Sequence, residues 1–276
     1  MRGTAIARPT MNPVTTASFV FLAAHLVALV VRGYDDTTLA LVVSSLLMFA
    51  CCLASAVHLL GAKAALKFVA IAVVLGWFAE QMGASHGWFF GEYDYTDVLG
   101  PRLGDVPAVI PLMWFSLTYM GYVIANLIAW RAPVDGSPRW FDAVVLSLLA
   151  AMVVTAFDLG ADPYFVYTLK AWIMVEKDGW WFGETVQGFF GWMLVSFCIV
   201  FLFRLTLRHT PPLPWSPVNR RHALVPVLMY AGFMVFQMCV SHPMELRTIA
   251  FFAMGMPILS ALAGWQHWLP SREAAR

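Results

Sequence analysis

The chain contains eight long apolar runs, and each could cross a membrane as a helix. The hydrocarbon core of a bilayer is about 30 Å thick, a distance that roughly 20 apolar residues span in an α-helix. Within the runs the apolar residues are continuous rather than alternating, which favours helices over the strands of a membrane barrel. Only 12% of the residues are charged, against about a quarter in soluble domains.

We therefore predict an all-α fold, a polytopic membrane helix bundle of about eight transmembrane helices with two long outer loops. In this interpretation residues 1–276 form a single integral membrane domain. The predicted spans are residues 14–32, 38–60, 63–82, 107–130, 140–159, 184–207, 222–241 and 246–266.

The distribution of charge predicts the orientation of the bundle. Positively charged residues gather in the cytoplasmic segments of membrane proteins. With both termini in the cytoplasm, twelve of the 17 Lys and Arg residues lie on the cytoplasmic side, but only three of the 16 Asp and Glu residues do. We therefore expect both termini to be cytoplasmic and the acidic loops 83–106 and 160–183 to face outward together.

The sequence lacks the residues that several functional classes of membrane protein and nucleotide-binding protein require. The seven histidines are scattered, with no two of them four residues apart or closer, so no histidine-rich metal site is predicted. All four lysines lie in loops or at helix ends, which excludes the deep Schiff-base lysine of a retinal protein. The chain has no glycine-rich phosphate-binding motif and no basic stripe, so neither nucleotides nor nucleic acids are expected partners.

Carboxylates inside the predicted spans are the first candidates for function, because a charged group in the membrane is costly. Glu80 lies near the end of the third span, in GWFAEQMG. Asp158 lies at the end of the fifth span, and Asp162 follows four residues later, on the same face of a helical turn. The alternative for Glu80 is a structural ion pair or an interfacial acid. For the aspartates the alternative is a helix-ending turn before Pro163.

A six-residue aromatic element occurs twice, as GWFFGE at 87–92 and as GWWFGE at 179–184. Both copies follow spans that run outward, so they lie on the same side of the membrane. We predict that the two loops pack together and cover a cavity above the intramembrane acids. Glu92 and Glu184 would then be structural, pairing with backbone amides or with Arg102. The alternative is two unrelated interfacial turns, since Trp favours the headgroup region and Gly allows tight turns.

Acids set among many aromatic rings suit one kind of chemistry. A carboxyl group in an apolar site favours its protonated form and can donate that proton to an electron-rich alkene. Aromatic faces and a nearby carboxylate would stabilise the carbocation that forms. For Asp94, the alternative is a solvated loop position. The residues predicted to bind such a substrate are Tyr93, Tyr95, Asp94, Trp114, Trp172 and Trp192.

The segments that carry these residues resemble a known family. GWFAEQMG, GWFFGEYDYTDVLGPRLGDVPAVIPLMW (87–114), DLGADP and GWWFGETVQGFFGW (179–192) are similar to the carotenoid hydratases of the bisanhydrobacterioruberin hydratase type, which are integral membrane proteins. The similarity covers roughly residues 70–200.

The resemblance implies addition of water to the terminal isopropylidene double bond of an acyclic carotenoid, without a cofactor. Glu80 is the predicted proton donor, and Asp158 and Asp162 would hold the water or share the proton. Expected partners are the carotenoid substrate and membrane lipid, with other carotenoid biosynthesis enzymes as further candidates. The alternatives are a membrane isoprenoid or carotenoid cyclase, a Mg²⁺-dependent prenyltransferase, and a non-enzymatic carotenoid or lipid carrier.

Overall fold

Long helices joined by two structured loops make up the described part of the chain. The computed structural model describes residues 13–136, 139–175, 179–208 and 210–270. Both termini, which we predict to be cytoplasmic, lie outside the described residues. The helices are α1 (Pro13–Arg32), α2 (Thr38–Leu60), α3 (Ala62–His86), α4 (Val109–Trp130), α5 (Trp140–Pro163), α6 (Val186–Thr206), α7 (Pro217–His222), α8 (Leu224–Val240) and α9 (Glu245–Gln266).

Eight helical segments among the described residues are long and apolar enough to cross a membrane, which confirms the predicted helix bundle. The short helix α7 continues into α8, and the two together form one of these segments. Each segment matches a predicted span, and the largest differences lie at the end of α5 and at the start of the segment formed by α7 and α8. The protein is therefore an integral membrane protein.

Helix α5 is longer than predicted. The prediction ended this span at residue 159 and began an outer loop there. Instead, α5 runs to Pro163, and a wider helical turn continues the helix to Thr168. Gly160 keeps this part of α5 against α8, because a Cβ atom at this position would lie 2.5 Å from Oε1 of Gln237. Since proline has no backbone N–H, Pro163 leaves the carbonyl of Leu159 free for a partner outside the helix.

Helix α4 lies at the centre of the bundle. Of its most apolar 18-residue window, 78% is buried inside the protein. Two glycines allow neighbouring backbones to come close to it. A Cβ atom at Gly121 would lie 2.8 Å from the carbonyl oxygen of Ala150 in α5, and one at Gly264 of α9 would overlap the carbonyl oxygen of Leu127. Because α4 is enclosed on nearly all sides, most side chains near its outer end are buried in the protein.

The two long loops of the protein pack against each other. The first long loop (87–108) contains β1 (Tyr93–Tyr95) and a small hairpin of β2 (Arg102–Leu103) and β3 (Val106–Pro107). The second long loop (169–185) contains β4 (Trp172–Met174), which pairs with β1 in antiparallel fashion. This pairing confirms the prediction that the two loops pack together.

The two copies of the repeated aromatic element end in different environments. Glu92 is exposed, whereas Glu184 is buried. The predicted pairing of Arg102 with these glutamates is wrong. Arg102 instead donates hydrogen bonds to Asp97, at 3.0 Å, and to the carbonyl oxygen of Tyr95, at 2.6 Å. Arg102 and its two partners all lie in the first long loop, so these hydrogen bonds are local contacts within that loop.

Candidate active site

A cavity lies beneath the paired loops, at the ends of α3, α4, α5 and α6 that face them. Its volume is about 60 Å³. We call it the acid cavity, because four buried carboxyl groups line it together with aromatic rings. Eight of the nine predicted site residues line this cavity: Glu80, Tyr93, Tyr95, Trp114, Asp158, Asp162, Trp172 and Trp192.

Glu80 accepts three hydrogen bonds from side chains of the cavity wall. The hydroxyl groups of Tyr93 and Tyr95 donate to its Oε2 atom, at 2.6 and 2.7 Å. Nε1 of Trp114 donates to Oε1, at 2.8 Å. Burial of the two phenols beside the Glu80 carboxyl raises the pKa of Tyr93 and of Tyr95 well above the usual range. Both phenols therefore keep the protons with which they hold Glu80.

Two glycines on the same face of α3 make room for the partners of Glu80. Gly76 lies one turn before Glu80, and its missing side chain admits the indole of Trp114. A Cβ atom there would lie 2.7 Å from Cγ of that ring. Gly83 lies nearly one turn after Glu80, where a Cβ atom would be 2.9 Å from the hydroxyl oxygen of Tyr93. The spacing of the glycines thus determines which rings can reach the carboxyl group.

A second group of acids lies on the α5 side of the acid cavity. Asp158 and Asp162 are one helical turn apart, and the carboxyl groups of Asp162 and Glu184 are hydrogen-bonded to each other. Burial raises the pKa of Glu184 well above its usual range, and the neighbouring Asp162 and Asp158 raise it further. Oδ2 of Asp158 and Oε1 of Glu184 have no hydrogen-bond partner among the described residues.

The proline in α5 explains how Glu184 comes to lie beside the two aspartates of that helix. The Leu159 carbonyl, which Pro163 leaves without an intrahelical donor, accepts a hydrogen bond from Nε1 of Trp181, at 3.0 Å. Trp181 therefore attaches the second copy of the repeat to the helix that carries the aspartates. Three residues later, Glu184 lies beside Asp162.

Aromatic rings form the remaining walls of the acid cavity. The rings of Trp114 and Trp192 lie 4.6 Å apart between centroids. In addition, the ring of Trp172 stacks on Phe165, at 5.0 Å between centroids, and meets the edge of Tyr95, at 5.8 Å. These rings present π-faces and apolar surface next to buried carboxyl groups, an arrangement that can stabilise positive charge.

The structure does not bring Asp94 to the acid cavity. Side chains alternate between the two faces of a strand, and in β1 the two flanking tyrosines face the cavity while Asp94 is exposed. Conversely, Glu184 lines the cavity although the sequence predicts a structural role for it. The repeated element was the signal for Glu184, since its second copy ends in this glutamate. No group of three or more potential metal ligands is arranged to hold an ion within the described residues.

Comparisons with known proteins agree with the resemblance noted in the sequence. The model of a family described as carotenoid biosynthesis protein matches residues 38–260. Over 142 residues the chain is 31% identical to a bisanhydrobacterioruberin hydratase of Haloarcula japonica. The match covers 51% of this chain and 45% of that relative, so the chain spans about half of the relative's length. No solved structure matches the chain. Because the family model covers most of the chain, the protein belongs to the carotenoid biosynthesis protein family.

Proposed function

We propose that the protein adds water to the terminal isopropylidene double bond of an acyclic carotenoid. One observation carries the proposal: four buried carboxyl groups and a set of tryptophan and tyrosine rings surround a single cavity inside a membrane protein. Acid-catalysed hydration needs a proton donor, a site that tolerates a tertiary carbocation, and a water molecule. The family membership and the hydratase name of the relative support the same substrate class.

The pair Asp162 and Glu184 is the best candidate for the proton donor. Two carboxyl groups share a hydrogen bond only when one of them carries a proton. The pair therefore holds a proton at the wall of the acid cavity, beneath the paired loops. Transfer of this proton to the less substituted alkene carbon would leave a tertiary cation at the other carbon.

Glu80 suits a different role from the proton donor predicted from the sequence. The indole N–H of Trp114 can only donate, so Oε1 of Glu80 must accept. Two further hydroxyl groups donate to Oε2. A carboxyl group with both oxygens engaged by donors is well placed as a carboxylate that stabilises the cation by its charge. The rings of Trp114 and Trp192 would add to this stabilisation through their faces.

The size of the acid cavity indicates which part of a carotenoid it can take. Its volume of about 60 Å³ is only a few times the roughly 10 to 15 Å³ that a cavity needs to hold one water molecule. Such a cavity receives only the end of a long polyene, and the rest of the chain would extend between helices toward lipid.

We further propose that residues 1–276 act as one membrane domain, with the paired loops outside and both termini in the cytoplasm.

Expression in a host that accumulates lycopene tests the proposal. Mass analysis of the extracted pigments should show products that are heavier than lycopene by one or two water molecules. A product of unchanged mass with a ring at its end would instead indicate a cyclase. Unaltered lycopene that co-purifies with the protein would indicate a carrier. Dependence of the product on added Mg²⁺ and an isoprenoid diphosphate would indicate a prenyltransferase.

A further inference from the structure

A second cavity lies next to the acid cavity, between α1, α2, α5 and α8. The two cavities share part of one wall, formed by Met113, Phe157, Ala161 and Phe165. The volume of the second cavity is about 20 Å³. A cavity needs about 10 to 15 Å³ to hold one water molecule, so the second cavity matches a single small molecule.

Four polar side chains in the wall of the second cavity have atoms without a hydrogen-bond partner among the described residues. None of these side chains is more than 8% exposed. Leaving a buried polar atom unpaired costs about 1 to 3 kcal/mol, so four such residues around one small space point to a ligand. The residues and atoms are His25 (Nε2), Arg32 (Nε and Nη2), Ser44 (Oγ) and Gln237 (Oε1).

The hydrogen bonds that these side chains already make determine whether their unpaired atoms donate or accept. Nδ1 of His25 lies 3.0 Å from the carbonyl oxygen of Ser44, an acceptor, so this nitrogen donates. In a neutral imidazole Nε2 is then an acceptor. Nε2 of Gln237 donates to the carbonyl oxygen of Phe157, at 3.0 Å, which leaves Oε1 as a free acceptor. The guanidinium of Arg32 offers donors only, and the hydroxyl of Ser44 can do both.

A ligand of the second cavity must therefore donate and accept hydrogen bonds at once. A simple anion could not satisfy the free acceptors of His25 and Gln237, and a cation could not satisfy the free donors of Arg32. Water does both and has the size of the cavity. Arg32 is the last residue of α1, and the exposed residues 33–36 follow it, so the second cavity lies close to the surface that the paired loops occupy.

We propose that the second cavity holds the water molecule that captures the carbocation in the acid cavity. This inference rests on the proposed hydration reaction. The oxygen of that water bonds to the tertiary cationic carbon, and its extra proton passes to a carboxylate of the acid cavity, which restores the proton used in the first step. Arg32, Gln237, His25 and Ser44 are positioning residues for this water. Gln237 also binds the backbone next to Asp158, so it connects the water site to the acids.

Partition of the cation in heavy water tests this assignment. The cation either takes up water to give the alcohol, or loses a proton from a neighbouring carbon and returns to an alkene that has gained deuterium. With Arg32→Met or Ser44→Ala, we expect the ratio of deuterated alkene to alcohol to rise about tenfold, the scale of one hydrogen bond. Ser147→Ala is the matched control, because Ser147 is an equally buried serine that lines neither cavity.

Two results would overturn the inference. One is a partition ratio unchanged in both Arg32→Met and Ser44→Ala while the wild-type protein hydrates lycopene. The other is an experimental map of the wild-type protein, at a resolution that shows ordered solvent, without a solvent molecule between Arg32 and Gln237. If the wild-type protein gives neither alcohol nor deuterated alkene, the proposed reaction fails, and the map alone decides whether the water site exists.

Discussion

Replacement of Glu80 by glutamine tests the proposed stabilisation of the carbocation most directly. The substitution keeps the shape of the side chain and removes its negative charge. The amide oxygen can still accept from Nε1 of Trp114, and the amide N–H groups can donate to the hydroxyl oxygens of Tyr93 and Tyr95, which accept as well as donate. All three contacts of the wild-type carboxyl group can therefore persist.

The expected effect follows from this geometry. Removing the charge of a buried group does not cost folding free energy in a membrane, where an amide is cheaper than a carboxylate. We therefore expect Glu80→Gln to accumulate and to melt like the wild-type protein. The reaction should slow by about 10²-fold or more, because loss of one well-placed electrostatic group typically costs about 3 kcal/mol of transition-state stabilisation.

The assay is conversion of lycopene in membranes, with product formation in heavy water as a second readout. Since Glu80 would act when the cation forms, Glu80→Gln should decrease the yields of alcohol and of deuterated alkene together. Variants of the water-positioning residues should instead change the ratio of these two products. Glu92→Gln is the matched control, because Glu92 ends the other copy of the repeated element, is exposed and does not line the acid cavity. Near-normal turnover by Glu80→Gln would refute the reasoning and leave Glu80 with a structural role.

Three further predictions concern the packing at Gly83, the proton of Glu184 and the orientation of the protein in the membrane. Gly83→Ala should lower stability by about 1 to 3 kcal/mol by overpacking against Tyr93, whereas Gly255→Ala, whose added Cβ atom would lie 3.7 Å from Sδ of Met234, should not; thermal unfolding of the purified proteins in detergent measures both. Because burial raises the pKa of Glu184, this group loses its proton only as the pH rises through the raised pKa, so turnover should decrease on the alkaline side, and turnover that increases there would contradict this role. A cysteine at the exposed Asp97 should react with a membrane-impermeant maleimide in intact cells, in a background without other accessible cysteines, and labelling only after lysis would reverse the proposed orientation.

Much of the fold follows from the sequence because continuous apolar runs of this length have few stable arrangements. Glu80 and Asp158 were also recognisable one by one, since a carboxyl group in such a run is costly and needs a reason, and Asp162 was recognisable by its distance from Asp158 along the sequence. Their spacing predicted that Asp158 and Asp162 share a helix face, and the structure brings both to one cavity with Glu80.

Features that depend on contacts between distant segments were not accessible from the sequence. The end of α5 looked like a turn, because Pro163 and Gly160 usually end helices, yet packing against Gln237 keeps the helix continuous. The exposure of Asp94 depends on which face of β1 meets the bundle. Glu184 lies at the acid cavity in a segment that Trp181 attaches to a carbonyl oxygen of α5. Each case requires knowledge of a partner far away along the chain.

The acid cavity is formed by two halves of the chain that meet in the membrane. Glu80 and its three donors come from the part before the connection between α4 and α5, whereas Asp158, Asp162 and Glu184 come after it. Neither half holds both the proton and the carboxylate of the proposed reaction. During synthesis, the acids of the proposed reaction are therefore complete only when the chain has been made through Glu184, after the first five helices, and a shorter product would lack the proton donor even when its own helices insert correctly.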